Sequence, residues 1–296
     1  MRFARSIFAL ASLAALASAV AAAQPAPPAT DVWVAELVRD GEAWRIEAPR
    51  NLTDRDGYDN QPAFTPDGAK LLYTSFRDGQ TDLWEIDSAT AVTRQVTATP
   101  ESEYSPTPYG DGSRFSTVRV EADGTQRLWS FAYPTGGDPE PLAPEVKGVG
   151  YHAWLDEKTL ALFVLGEPFT LRMLDLGSGT ATIVAERIGR SIHKTPGTRE
   201  ASYVAPDGDG FAIFAVAAAG GEPRRLAPAP ASENRDYAWT PDGVLVAAVG
   251  ARLYRLRPGA DTEWIELADL AGQGVGNVTR IAVSSADDRL AFVVDR

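Results

Sequence analysis

Short runs of alternating apolar and polar residues recur along the chain. Six of these runs can be aligned with one another, and the third residue of each serves as the marker of the repeat. The first two runs are DVWVAEL from Asp31 and DLWEID from Asp82. Successive markers lie 51, 45, 43, 42 and 40 residues apart. Alternation with a period of two predicts strands, and a repeat of this length with about four strands is typical of a β-propeller blade. The markers are Trp33, Trp84, Trp129, Arg172, Phe214 and Tyr254.

A hairpin signal supports the repeat. FTPDG at 64–68 and WTPDG at 239–243 each precede an apolar run. In such a turn proline fixes φ, aspartate accepts backbone hydrogen bonds and glycine adopts a positive φ. Helical periodicity is absent after the first residues, because Gly or Pro interrupts every candidate window. The sequence therefore predicts an all-β fold, a six-bladed β-propeller of four-stranded antiparallel blades.

The phase of the repeat predicts how the ring closes. The chain begins with a marker strand and its partner strand, from Asp31 to Thr53. It ends with an inner strand and a hairpin from Val278, and no marker strand or partner strand follows them. If the N-terminal strands complete the last blade, no half-blade exposes a row of unpaired backbone groups. Five tryptophans at repeat-equivalent positions are expected to pack between blades. They are Trp33, Trp84, Trp129, Trp154 and Trp239.

Residues 1–23 have the pattern of a secretory signal peptide. Arg2 and Arg5 precede an apolar run at 7–20, and the alanines at 21–23 supply small residues before a cleavage point. An uncleaved membrane anchor is the alternative. The pattern predicts an exported protein, periplasmic or secreted.

The remaining chain divides into a tether and one domain. Residues 24–30 form a Pro/Ala-rich tether, and residues 31–296 form the propeller. There is no cysteine, which excludes disulfides, and the net charge of the full chain is −12. Such a surface repels phosphate backbones and anionic membranes, so the sequence predicts no nucleic-acid partner and no stable membrane insertion after cleavage.

The two Pro-Asp-Gly turns make the sequence resemble the TolB-type propellers. The unit of that family is an aromatic, a small polar residue, Pro-Asp-Gly, a strand, a strand ending near Asp, and then Leu-Thr. The resemblance spans residues 31–296 and implies a TolB-like propeller without the α/β domain that precedes it in TolB. The same repeat occurs in periplasmic scaffold proteins, in the gating domains of prolyl oligopeptidase-like enzymes and in a few lyases. The resemblance therefore implies the fold rather than one activity.

Motifs for catalysis or cofactor binding are few. The segment GSG at 177–179 reads as a hairpin turn, and GQGVG at 272–276 lacks the βαβ unit of a dinucleotide loop. The acidic loop at 54–60 lacks the EF-hand spacing, although a looser calcium site is left open. We accordingly predict no metal and no cofactor.

His152 and His193 start adjacent predicted inner strands near the central channel. With a carboxylate such as Glu103 or Asp236 they could hold a metal, which gives an alternative function as a small periplasmic metal-dependent hydrolase or lyase. Equally, they could line the pore and bond to backbone or water.

The loops that enter the inner strands project toward one end of the propeller axis. Aromatic rings beside Arg, Asn and carboxylates are the mixture expected of a binding mouth, although wet loop ends have the same composition. We predict a monomeric, non-catalytic propeller that binds a protein, peptide or glycan of the cell envelope at this axial mouth. The mouth residues are Tyr58, Asp59, Asn60, Glu103, Tyr104, Tyr151, His152, Arg190, His193, Asn234, Arg235, Asp236 and Asn277.

Overall fold

The computed structural model describes residues 26–41 and 43–296, so the predicted signal peptide at 1–23 lies outside the described residues. Residues 26–29 of the tether precede the first strand without regular structure. The first twelve strands are β1 (Thr30–Asp40), β2 (Ala43–Asn51), β3 (Asp59–Phe64), β4 (Lys70–Arg77), β5 (Gln80–Asp87), β6 (Thr93–Gln95), β7 (Ser102–Tyr109), β8 (Arg114–Val120), β9 (Gln126–Ala132), β10 (Glu140–Pro141), β11 (Val149–Trp154) and β12 (Thr159–Val164).

The second half of the chain continues the same pattern and adds one short 3₁₀ helix, Ala271–Gln273. Among the described residues, no helix is long and apolar enough to cross a membrane. The remaining strands are β13 (Thr170–Asp175), β14 (Thr180–Glu186), β15 (Ile192–Lys194), β16 (Glu200–Asp207), β17 (Gly210–Ala217), β18 (Arg224–Pro228), β19 (Tyr237–Trp239), β20 (Leu245–Val249), β21 (Arg252–Leu256), β22 (Ile265–Asp269), β23 (Val278–Val283) and β24 (Arg289–Asp295).

These strands form six antiparallel four-stranded sheets within the described residues, which confirms the predicted six-bladed propeller. Blade 1 is β3 to β6, blade 2 is β7 to β10, blade 3 is β11 to β14, blade 4 is β15 to β18 and blade 5 is β19 to β22. Blade 6 has the order β2-β1-β24-β23. The first strand of each blade, β23 in blade 6, lies next to the central axis.

Blade 6 confirms the predicted closure, because the N-terminal strands complete the sheet begun at the other end of the chain. Trp33 on β1 pairs with Phe292 on β24, and the amide of Leu37 donates to the carbonyl of Asp288 at 2.8 Å. The guanidinium of Arg296 reinforces the joint. It bonds to carboxylates of Asp31, Asp54 and Asp56, two of which belong to the acidic loop considered as a calcium site.

The core lies between the blades. Leu, Val, Ile and a few aromatic side chains fill it, including Tyr73 and Tyr237, which are both fully buried. The five predicted tryptophans pack against these clusters but remain partly exposed. Arginine covers the outer side of some of them, as the guanidinium of Arg77 does 3.5 Å above the Trp84 ring.

The Thr-Pro-Asp-Gly turns have a local cause. The Thr65 hydroxyl donates to the Asp67 carboxylate at 2.6 Å and accepts from the Lys70 amide at 3.1 Å. Gly68 has a φ of 68°, which a residue with a side chain adopts only with strain. Thr240 and Asp242 repeat the first of these bonds at 2.6 Å. The turns therefore fix where each inner strand ends.

Candidate functional site

The centre of the ring contains a cavity of about 580 Å³ lined by the inner strands of all six blades. Its charged lining residues, His aside, are Arg190, Lys194, Arg280 and Asp236. Three positive charges against one negative make the channel cationic, whereas the chain as a whole carries −12. The channel therefore attracts anions into an otherwise acidic protein.

One residue from each blade contributes to a ring around this channel. Each inner strand ends at a turn, and the first residue of that turn gives equivalent positions in the six blades. At Thr65, for example, the amide donates to the Lys70 carbonyl, and at Thr240 the amide donates to the Val244 carbonyl. We call this position the turn level. The residue four positions before that level lines the cavity in every blade. These residues are Gln61, Ser105, Tyr151, Ser191, Asp236 and Arg280.

Arg280 is the centre of a hydrogen-bonded group at the mouth. Its Nε donates to Oδ1 of Asn60 at 3.1 Å, and its Nη2 donates to the hydroxyl of Tyr151 at 3.2 Å. Arg190 approaches from the blade 4 side, and its Nη2 donates to the carbonyl of Thr279 on β23 at 3.1 Å. Nε of Arg190 is buried and has no hydrogen-bond partner among the described residues. The mouth thus holds two guanidinium groups, and one of them has a donor to spare.

The pKa values of the two phenols beside these arginines shift in opposite directions, although the arginines lower both. Burial raises the pKa of Tyr58 to about 12, and the nearby phenols of Tyr151 and Tyr104 add to that shift. Burial also acts on Tyr151, but the charges of Arg280 and Arg190 outweigh it and lower the pKa of its hydroxyl. At the Tyr151 hydroxyl the two positive charges therefore outweigh the effect of burial.

Two predicted carboxylates are buried within the blades and do not line the cavity. Asp59 is fully buried and accepts from the Ser75 hydroxyl at 2.5 Å. Glu103 occupies the equivalent place in blade 2, where it accepts from Thr97 at 3.1 Å. Burial raises the pKa of Asp59, and it raises that of Glu103 to about 7. Both side chains hold the entering loop to its own blade.

His152 joins two blades. Its Nε2 lies 2.6 Å from the Ser116 hydroxyl of blade 2, which also accepts from Nε1 of Trp154 at 2.8 Å. Blades 4 and 5 repeat the arrangement, because Ser202 accepts from the hydroxyl of Tyr237 at 2.9 Å and from Nε1 of Trp239 at 2.8 Å. Burial lowers the pKa of His152 to about 3, so its ring is neutral. His152 is the counterpart of a structural tyrosine.

His193 has different surroundings. Its Nε2 lies 3.1 Å from the Ser191 hydroxyl, and its ring meets Tyr237 edge-on at 4.7 Å. Burial lowers its pKa, against the charge of Asp236. His193 lies two residues before the turn level of its blade, whereas His152 lies three residues before the turn level of its own. Because successive side chains of a strand point to opposite faces of the sheet, the two rings lie on opposite faces of their blades. No group of three or more His, Cys, Asp or Glu able to hold a metal occurs in the part of the chain described.

Three further predicted residues lie on the rim. The guanidinium of Arg235 is 3.7 Å above the ring of Phe211, and the exposed Asn277 bonds to Asp295 at 2.8 Å. Asn234 is partly exposed beside them. The structure thus gathers only part of the predicted set at the channel. Tyr151, His152, Arg190, His193 and Asp236 line the cavity, and Tyr58, Asn60 and Tyr104 interact with them or with Arg280.

Arg280 is not among the predicted mouth residues, because those were sought mainly in the loops that enter the inner strands. It lies inside β23, whose turn SSADD matches the Pro-Asp-Gly motif only loosely. Counting four residues back from Ser284 at that turn finds Arg280, just as counting from Thr240 finds Asp236. The distance of a residue from the turn in its own blade was therefore the sequence feature that could have identified Arg280.

Blade 3 carries two exposed apolar side chains that are joined to the channel by a buried ring. The ring of Tyr151 meets Phe163 at 5.8 Å, and Phe163 meets Phe169 at 5.1 Å. Phe169 and its neighbour Leu165 are 46% and 44% exposed. We call Phe163, Leu165 and Phe169 the apolar shelf.

No protein-family profile and no curated protein matches the sequence. Among solved structures, the chain is similar to a protein of Agrobacterium tumefaciens described provisionally as TolB, with a TM-score of 0.70, 16% identity, and coverage of 91% of this chain and 99% of that one. TolB of Acinetobacter baumannii aligns with a TM-score of 0.58 and 15% identity over 89% of this chain and 64% of its own. An oligogalacturonate lyase of Vibrio parahaemolyticus aligns with a TM-score of 0.53 and 14% identity, covering 91% and 98%. The fold is that of a TolB-like propeller.

Proposed function

We propose that this protein is an exported, non-catalytic β-propeller that binds a protein, peptide or glycan of the cell envelope at its axial mouth. The observation that carries the proposal is the group around Arg280, where side chains from several blades meet at one end of a cationic channel. Aromatic rings supply contact area there, and the guanidinium groups fix the orientation of a ligand.

Catalysis is not part of the proposal. Similar propellers include an oligogalacturonate lyase, so the fold alone does not decide between binding and chemistry. The site residues must decide, and the two histidines on which a metal-dependent enzyme would rest have separate partners, Ser116 and Ser191. The mouth instead combines arginine, phenol and amide groups, which bind without needing a nucleophile.

The experiment is affinity capture from an envelope extract with the exported form of the protein. Tyr104→Ala, Tyr151→Ala and Arg190→Ala should each weaken binding of the captured partner more than about fivefold, as aromatic and arginine anchors of an interface do. Arg94→Ala and Arg225→Ala, on the outer strands, are matched controls. Normal binding by the three mouth variants together with weakened binding by the controls would move the site to the outer rim.

Export and the absence of a metal need their own measurements. Cell fractionation should find a processed chain that begins near residue 24 outside the cytoplasm. Elemental analysis of the purified protein should find far less than one equivalent of zinc or manganese. A stoichiometric metal would support the enzyme alternative instead.

A further inference from the structure

We propose that the axial channel binds the free C-terminal carboxylate of a peptide that ends in an apolar residue. Arg190 and Arg280 hold the carboxylate, and the apolar shelf holds the terminal side chain. This inference deepens the proposed function and rests on it, because it requires the axial mouth to be the binding site.

The charge of the channel favours a ligand with a localised negative charge. Arg190 and Arg280 come from blades 4 and 6, and both act on the Tyr151 hydroxyl of blade 3. Asp236 is the carboxylate that lines the cavity beside them. Together with Lys194, the two guanidinium groups outnumber this one carboxylate, so the channel keeps a net positive charge after a single ligand carboxylate has bound. Guanidinium groups bind carboxylates through short, charge-assisted hydrogen bonds.

Unused donors indicate where the carboxylate would lie. Nε of Arg190 and the hydroxyl of Ser105 are buried in the described structure without a hydrogen-bond partner, and both residues line the cavity. Buried donors of this kind nearly always have partners in native proteins. Asn60 and Tyr151 hold Nε and Nη2 of Arg280, so that guanidinium is already oriented. A carboxylate supplies the acceptors that these groups lack.

The apolar shelf indicates what accompanies the carboxylate. Phe163 is buried against Tyr151 and supports the shelf from below, and the exposed Phe169 and Leu165 are the side chains that a ligand would contact. A Cβ on Gly150 would lie 2.9 Å from the Phe163 ring, so glycine lets that ring pack against the strand between channel and shelf. None of the three shelf side chains has a polar atom. An apolar side chain beside the carboxylate therefore matches this surface better than the hydroxyls of a uronate sugar.

The test compares acetylated peptides of the form Gly-Ser-Gly-Ser-X, with X as Phe or Gly, each as the free acid and as the C-terminal amide. Isothermal titration calorimetry should show the Phe acid binding at least about tenfold more tightly than its amide. Arg280→Gln and Arg190→Gln should each remove most of that difference. Phe169→Ala should weaken the Phe acid about fivefold and leave the Gly acid unchanged.

Arg225→Gln and Ile265→Ala serve as matched controls on outer strands, and both should bind like the parent. Arg190→Gln keeps the test valid if Arg280→Gln lowers the melting temperature, because Arg190 makes fewer bonds within the protein.

Equal binding of acid and amide would overturn the inference. So would competition by inorganic phosphate or an oligogalacturonate trimer that is as tight as the Phe acid and insensitive to Phe169→Ala, since the site would then bind anions in general. If no peptide binds while the envelope partner still requires Tyr151, the inference fails and the proposed function stands. If that partner binds the mouth variants normally, both fail.

Discussion

Mild acid should destabilise this protein through His152. The side chain is 7% exposed, and burial lowers its pKa from 6.5 to about 3. In the unfolded chain the imidazole of His152 is protonated below about pH 6.5, whereas in the folded chain it stays neutral until the pH approaches about 3. The contribution of the neutral ring is fully present above about pH 6.5 and is lost progressively as the pH falls toward about 3.

The magnitude follows from linkage. Between about pH 7.5 and about pH 5, protonation of the unfolded chain at this one site lowers the free energy of unfolding by about 2 kcal/mol. Because the folded-state pKa lies well below 5, this loss depends almost entirely on the pKa of the unfolded state. The depth of burial therefore hardly affects the expected value at pH 5.

Urea unfolding of the parent and of His152→Asn at both pH values measures the effect. The variant loses the bond to Ser116 and is less stable at every pH, but it has no imidazole at this position to titrate. The parent should lose about 2 kcal/mol more than the variant between the two pH values. Taking this difference cancels the titration of all other groups, including His193, for which His193→Asn is the separate control. Equal losses in parent and His152→Asn would refute a neutral, buried His152.

Further predictions concern the core, the closing blade and a buried carboxyl group. Trp84→Ala should lower the free energy of unfolding by about 3 kcal/mol, and Ile265→Ala on an exposed strand by less than about 0.5, as denaturant midpoints would show. Deleting Thr30–Asn51 should expose the edge of β24, abolish cooperative melting and cause association in sedimentation experiments, whereas a monomer that melts cooperatively would contradict the closure. Burial raises the pKa of the Glu103 carboxyl group from 4.5 to about 7. As the pH rises above 4.5, ionisation of this group therefore favours the unfolded chain. Glu103→Gln should therefore be about 1 to 3 kcal/mol more stable than the parent at about pH 8 and lose this advantage by about pH 4, below the ordinary pKa of the carboxyl group, as urea unfolding would measure.

The sequence by itself determined the architecture, because a propeller repeats one local pattern. The spacing of the markers predicted six blades, and the phase of the two ends predicted that Trp33 would pair near the end of the chain, as it does with Phe292. The turns at Asp67 and Asp242 were readable for the same reason. Each depends on residues within five positions of one another.

The tertiary structure alone decided which predicted mouth residues share a site. Gln61 and Ser105 have φ values of 57° and 55° where the ladders of β3 and β7 shift register, and a shift of one residue reverses the face on which every later side chain lies. A pattern of period two cannot show such a shift. The closed ring also brought Arg190 of blade 4 to the carbonyl of Thr279, next to Arg280 in blade 6. These residues are far apart in the sequence, and no local signal encodes their contact.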